Sequence, residues 1–182
     1  MSKGNILFKL TGSIACYKAC CLISRLVQDG FEVQTVVSKN ALHFIGESTL
    51  EGLTRRPVLS DIYERGRNMD HIHLPKWADL SLICPASAST LNRLATGSGD
   101  DLITTLFLAS DLKNKPYWVA PAMNQQMYHH PATQSSLERL KQWGVHILPT
   151  ETGHQACGDF GEGRLLNPDQ IFDMILKYWD QR

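Results

Sequence analysis

Short apolar runs alternate along this chain with stretches in which apolar residues recur every three or four positions. Asn5–Leu10 (NILFKL) and residues 31–37 (FEVQTVV) are rich in the β-branched and aromatic residues that suit strands. Between them, residues 14–28 set Ile14, Tyr17, Cys21, Leu22 and Leu26 at helical spacing, and Gly30 stops the run. Strand, helix and strand in so short a span predict a parallel βαβ unit, because parallel neighbours need a crossover of a dozen or more residues. Further strands are expected at 80–84, 117–120 and 145–148, with helices near 90–94, 102–110 and 132–143. A last helix at 168–178 opens on Asn167 as N-cap and Pro168 in the first turn. The pattern predicts a three-layer α/β/α sandwich around an open parallel sheet, in one domain spanning 1–182. Residues 54–76 are polar and aperiodic and read as a connecting segment crossing the sheet edge or reaching a neighbouring subunit.

In such a sheet, ligands bind beyond the carboxyl ends of the strands, so the residues just after each strand are the candidate site. After the first strand come Gly12 and Ser13 at the start of a helix. Their N–H groups and hydroxyl form either an anion site or a tight turn that merely needs glycine. The segment matches neither GxGxxG nor GxxxxGK. Ser38 follows the second strand where a dinucleotide-binding domain places an acid for the ribose, so a mononucleotide fits better. After the third strand, Ser87, Ser89 and Thr90 are either helix caps or donors for a phosphate or a polar ring edge. Asn124 follows the fourth, between Met123 and Met127, as a grip for a carboxylate or amide or as an Asx turn. The fifth is followed by a glycine-rich loop carrying Cys157 and Arg164, either a cover or plain surface.

Composition narrows the partners. The 182 residues carry 18 Lys plus Arg against 18 Asp plus Glu, so there is no basic field for nucleic acid. No apolar window reaches the roughly 18–20 residues of a membrane span, and no cleavable leader precedes the first strand. A cytoplasmic location is the expectation. Five cysteines without CxxC spacing suggest neither a disulfide framework nor a zinc site. Cys16, Cys20, Cys21 and Cys84 read as small core residues; Cys157 does not.

The ordered segments GSIACYK, DHIHLPKWAD, PASAST with ATGSGDDLITT, PAMNQQMY and HQACGDFGEGRLL together resemble the flavin-containing cysteine decarboxylases nearly end to end. Within that family the likeness is greatest to members that act on 4′-phosphopantothenoylcysteine in coenzyme A biosynthesis. The resemblance implies a flavodoxin-like fold, FMN as cofactor, no metal, and a homo-oligomer of trimers or their multiples with FMN between subunits. It implies flavin contacts from Gly12, Ser13, Ile14, Ser38, Ser87, Ala88, Ser89, Thr90 and Ala122. It assigns catalysis to His71, Asn124 and Cys157, and substrate binding to Asn124, Met127 and Ala156. Of the three residues assigned to catalysis, only His71 has no signal of its own in the pattern of residues.

The chemistry implied explains that set. Direct loss of CO₂ from an N-acyl cysteine would strand an electron pair, so an electron sink is needed. Oxidising the thiol-bearing carbon gives a thioaldehyde, whose C=S group can delocalise the electrons left by departing CO₂ as an enethiolate. Return of hydride with protonation of the adjacent carbon completes the turnover. A thiol with an ordinary pKa near roughly 8.5 is protonated at neutral pH and suits that last acid role. Three departures stand out: Ser89 replaces a usual Asn, His73 a usual Glu, and GRLL a usual GRM. On an extended segment His71 and His73 would share one face, and the motif favours His71. Two alternatives use the same fold, namely a peptidyl-cysteine decarboxylase and a non-catalytic flavoprotein regulator. Long acidic tails would mark the regulator, and the sequence has none.

Overall fold

The computed structural model describes residues 2–63, 67 and 69–181. In chain order they form β1 (Asn5–Leu10), α1 (Cys16–Gln28), β2 (Glu32–Val37), α2 (Glu47–Thr54) and α3 (Asp70–Trp77). Next come β3 (Leu80–Ala86), α4 (Ala88–Ala95), α5 (Leu102–Leu108), β4 (Tyr117–Pro121), α6 (Gln125–His129) and α7 (Pro131–Gln142). The chain closes with β5 (His146–Ile147), β6 (Glu151–His154), β7 (Phe160–Arg164) and α8 (Pro168–Asp180).

Five strands pair in parallel in the order β2-β1-β3-β4-β5, the flavodoxin-like order of a doubly wound sheet. Strand alternation divides β1 between two cores. Ile6, Phe8 and Leu10 are fully buried against the layer of α1, α2 and α8, whereas Leu7 joins the layer of α4, α5 and α7. Burying such a side chain stabilises the fold by about 2 kcal/mol, so both faces of the sheet contribute. Two lysines on the α4, α5 and α7 side of the sheet are unusual. Lys9 is fully buried with its Nζ 4.4 Å from the centre of the Tyr117 ring, and burial lowers its pKa to about 7. Lys115 Nζ donates to the carbonyls of Pro75 (3.1 Å) and Ala78 (2.8 Å), holding the end of α3.

The structure corrects several expectations. The 54–76 segment is not a plain connector: it contains most of α3, while residues 64–66 and 68 lie outside the described residues. His71 and His73 therefore sit on a helix, not an extended segment, and point about 200° apart. His71 is half-buried, with a buried Nδ1 that has no partner among the described residues, and His73 is exposed. Pro75 inside α3 masks its helical pattern, because proline removes one backbone donor. The loop after the fifth strand is a two-stranded antiparallel hairpin, β6–β7. In α1 the buried stripe is Cys16, Ala19, Leu22, Ile23 and Leu26; Ile14, Tyr17 and Cys21 are exposed. Cys21 thus does not belong to the core, whereas Cys16 and Cys84 do.

Candidate active site at the ends of the strands

Thr11, the residue after β1, laces the centre of the sheet together. Its hydroxyl donates to Pro85 O (2.8 Å) and accepts from Ser87 N (2.8 Å), which sets the Gly12–Ser13 turn beside the start of α4. At Gly12 a Cβ would lie 2.7 Å from Cβ of Asn40, so only glycine allows this close approach to the loop after β2. The N–H groups of Gly12, Ser13 and Ile14 have no backbone or side-chain acceptor among the described residues, and they open the positive end of α1. Ser87 does cap α4, its Oγ accepting from Thr90 N at 3.4 Å. The capping reading therefore holds for Ser87, and Asp101 likewise caps α5 through a capping box.

The second half of the site is built by the hairpin. Met123 N donates to Gly163 O (2.9 Å), docking β7 onto the segment that follows β4. Gly163 has φ 110°, and a Cβ there would sit 2.6 Å from Met123 O, so the junction requires glycine. His129 on α6 reaches Glu162 on β7 at 3.3 Å and reinforces it.

Asn124 sits at this junction and divides its amide between two tasks. Its Oδ1 accepts from Gln126 N (2.8 Å) and caps α6, so the turn reading holds. Its Nδ2 faces the hairpin tip, 3.1 Å from Gln155 Oε1, 3.3 Å from Cys157 Sγ and 3.3 Å from Asp159 Oδ2. Two amide hydrogens cannot satisfy three acceptors at once, so part of this network is free to exchange for a ligand. Gln155 is itself held, donating from Nε2 to Glu162 O at 2.8 Å.

These elements enclose a cleft of about 550 Å³, within the roughly 300–1,000 Å³ usual for small-molecule sites. Gly12, Ser13, Ile14, Ser87 and Ala88 line one side, and Ala122, Asn124, Met127, Ala156 and Cys157 the other. Ten of the residues named from sequence are thus brought together. Ser38, His71, Ser89 and Thr90 do not line it. Ser38 borders a second hollow and accepts from Ala41 N, Thr90 is buried behind Ser87, and Ser89 is exposed. Lys18 and Arg164 line the cleft, with no carboxylate among the lining residues.

Sequence reading did not single out Tyr17, Lys18, Gln155 or Asp159 for the site. The apolar residues missing from the core of α1 were the available signal. Ile14 and Tyr17 are 56% and 59% exposed, and Met127 is 49% exposed, all bordering the cleft. The donor set fits FMN: unpaired N–H groups and serine hydroxyls at a helix start suit its phosphate, and the exposed apolar side chains suit the faces of a flat ring.

Comparison with known proteins agrees with this geometry. The chain is 42% identical over 180 residues to the coenzyme A biosynthesis bifunctional protein CoaBC of Vibrio vulnificus, covering 98% of this chain and 44% of that protein. The corresponding protein of Bacillus subtilis is 37% identical over 181 residues, again covering 98% of this chain and 44% of that protein. The chain therefore spans less than half the length of these relatives. Among solved structures, a PPC decarboxylase mutant complexed with pantothenoylaminoethenethiol superposes with a TM-score of 0.84 at 31% identity, over 97% of this chain and 98% of that one. The FMN binding protein AtHal3 superposes with a TM-score of 0.84 at 32% identity, over 99% and 98%. The Flavoprotein family matches residues 1–179, and this chain belongs to that family.

Proposed function

We propose that this protein is an FMN-dependent decarboxylase that converts 4′-phosphopantothenoylcysteine to 4′-phosphopantetheine in coenzyme A biosynthesis. The observation that carries the reading is the thiol of Cys157 held 3.3 Å from the amide of Asn124 at a cleft whose opposite wall offers unpaired N–H donors. Likeness to CoaBC proteins and to a PPC decarboxylase structure supports it.

Bound FMN would supply the electron sink that the thiol-bearing carbon requires. Gly12, Ser13, Ile14, Ser87 and Ala88 would hold its phosphate and edge, with Ala122 beneath. The remaining work falls to side chains of this chain. Asn124 would orient the substrate carboxylate through Nδ2 without adding a charge that opposes departure of neutral CO₂. Met127 and Ala156 would form the apolar wall beside it. Cys157 would give its thiol proton to the carbon that has lost CO₂.

His71 lies on α3, outside the cleft, which supports a site completed by a second copy. We infer a trimer or a multiple of trimers in which the half-buried face of His71 meets the open side of a neighbour's cleft. Its imidazole would there accept the substrate thiol proton. Ser38 and the exposed Ser89 would approach the flavin only in such an assembly, whereas Thr90 would act through Ser87. We place the enzyme in the cytoplasm, where its five unpaired cysteines remain thiols.

Purified protein reconstituted with FMN should release CO₂ from 4′-phosphopantothenoylcysteine and yield phosphopantetheine. The variant Cys157→Ser should release CO₂ but accumulate the unsaturated enethiol. A flavin-loaded wild type that releases no CO₂ from this substrate, or that prefers a peptide ending in cysteine, overturns the assignment.

A further inference from the structure

Asp159 is the residue at the hairpin tip that touches the reactive thiol from outside. Its Oδ2 lies 3.2 Å from Cys157 Sγ and 3.3 Å from Asn124 Nδ2, and its backbone carbonyl accepts from Gln155 N at 2.8 Å. Cys157 lines the cleft whereas Asp159 does not, and both residues are exposed. A solvent-exposed carboxylate therefore lies against the thiol from outside the cleft lining.

We propose that Asp159 is a positioning residue that re-supplies the proton Cys157 gives up in each turnover. This rests on the decarboxylase reading above. When Cys157 protonates the substrate carbon, its S–H bond breaks, a C–H bond forms and a thiolate remains. With product or new substrate filling the cleft, the side of that sulfur facing the cleft is covered, and the Asp159 carboxylate remains in hydrogen-bond contact with it. A proton taken from water onto the carboxylate passes to the thiolate over the 3.2 Å contact, restoring the thiol and the carboxylate. The balance is one solvent proton taken up per CO₂ released, with no redox partner. Gln155 supports the arrangement, since its N–H fixes the Asp159 backbone and its Oε1 accepts from Asn124.

The first proton is already on sulfur before substrate binds, so the proposal separates one turnover from many. In Asp159→Asn, a single turnover with enzyme in excess should match wild type within about twofold, because the amide still accepts from the thiol. Steady-state kcat should fall by roughly ten- to a hundredfold, the range for loss of one acid–base group. Added acetate should recover much of that loss in Asp159→Asn and none in Cys157→Ser, and Asp159→Glu should regain most of the turnover.

A readout independent of turnover is the infrared S–H stretching band of Cys157, identified by its absence in Cys157→Ser. It should shift to higher frequency in Asp159→Ala as the thiol loses its acceptor. Equal losses in single and multiple turnover, no acetate rescue, a Glu variant as slow as Asn, or an unmoved S–H band would each overturn the proposal. A wild type that forms no product would instead overturn the decarboxylase reading, so the two failures are distinct.

Discussion

The amide of Asn124 and the thiol of Cys157 meet at 3.3 Å although 33 residues separate them in the chain. Strand β4 delivers one and the hairpin β6–β7 the other, and the Met123–Gly163 hydrogen bond brings the two elements together.

Asn124→Asp separates the two tasks of this side chain. Aspartate caps a helix as well as asparagine, so α6 should persist. The donor to Gln155, Cys157 and Asp159 is lost, and a second carboxylate is set beside Asp159. Decarboxylation should fall by about 10²-fold or more, the cost of removing one placed donor, with flavin affinity retained. CO₂ release and a flavin fluorescence titration measure the two effects; an active variant would remove Asn124 from the chemistry.

The proposal that subunits share each site makes a quantitative prediction for mixed assemblies. His71→Ala and Cys157→Ser should each be inactive in product formation alone. Co-expressed in equal amounts, they should recover activity at about a quarter of the sites if each site takes its histidine from one subunit and its thiol from another. No recovery would place both groups in one subunit, and an active His71→Ala variant on its own would exclude His71.

Lys9 should govern part of the pH dependence of stability. Its folded pKa is lowered to about 7 by burial, whereas the unfolded chain titrates near roughly 10.4. Between these values the unfolded chain binds more protons, so this group adds stability as pH rises from 7 to 10 and its penalty is fully present below 7. The thiols of Cys16, Cys20 and Cys84 are pushed up by burial, Cys20 to about 11, and act in the opposite direction above about pH 8.5. The difference between wild type and Lys9→Met isolates the lysine. The variant should be more stable at pH 7 by about 2–4 kcal/mol, less the cation–π contact with Tyr117, and the gap should close towards pH 10. Guanidinium midpoints across that range decide it.

Gly163→Ala forces a side chain into the left-handed region at φ 110° and against Met123 O. It should destabilise the hairpin by about 1–3 kcal/mol while leaving the five-stranded sheet folded. Hydrogen exchange should rise over Glu151–His154 and Phe160–Arg164, and decarboxylation should drop by roughly tenfold or more as Cys157 loses its position.

The parallel sheet was legible because its strands are near-continuous apolar runs, as expected where both faces are covered. Ser87, Asn124 and Cys157 were legible because each follows a strand end. The hairpin was not: its strands are polar and glycine-rich, with Gly153, Gly161 and Gly163 buried close to Arg164, Gln125 and Met123. Helix α3 was hidden by Pro75 and by a single buried side chain in its length. Asp159 carries no signal in sequence beyond its place two residues after Cys157, since its role depends on how the turn folds back.

Because the hairpin β6–β7 supplies both lining residues of the cleft and Cys157, any displacement of it from the segment after β4 would alter the shape of the cleft and the placement of the thiol together.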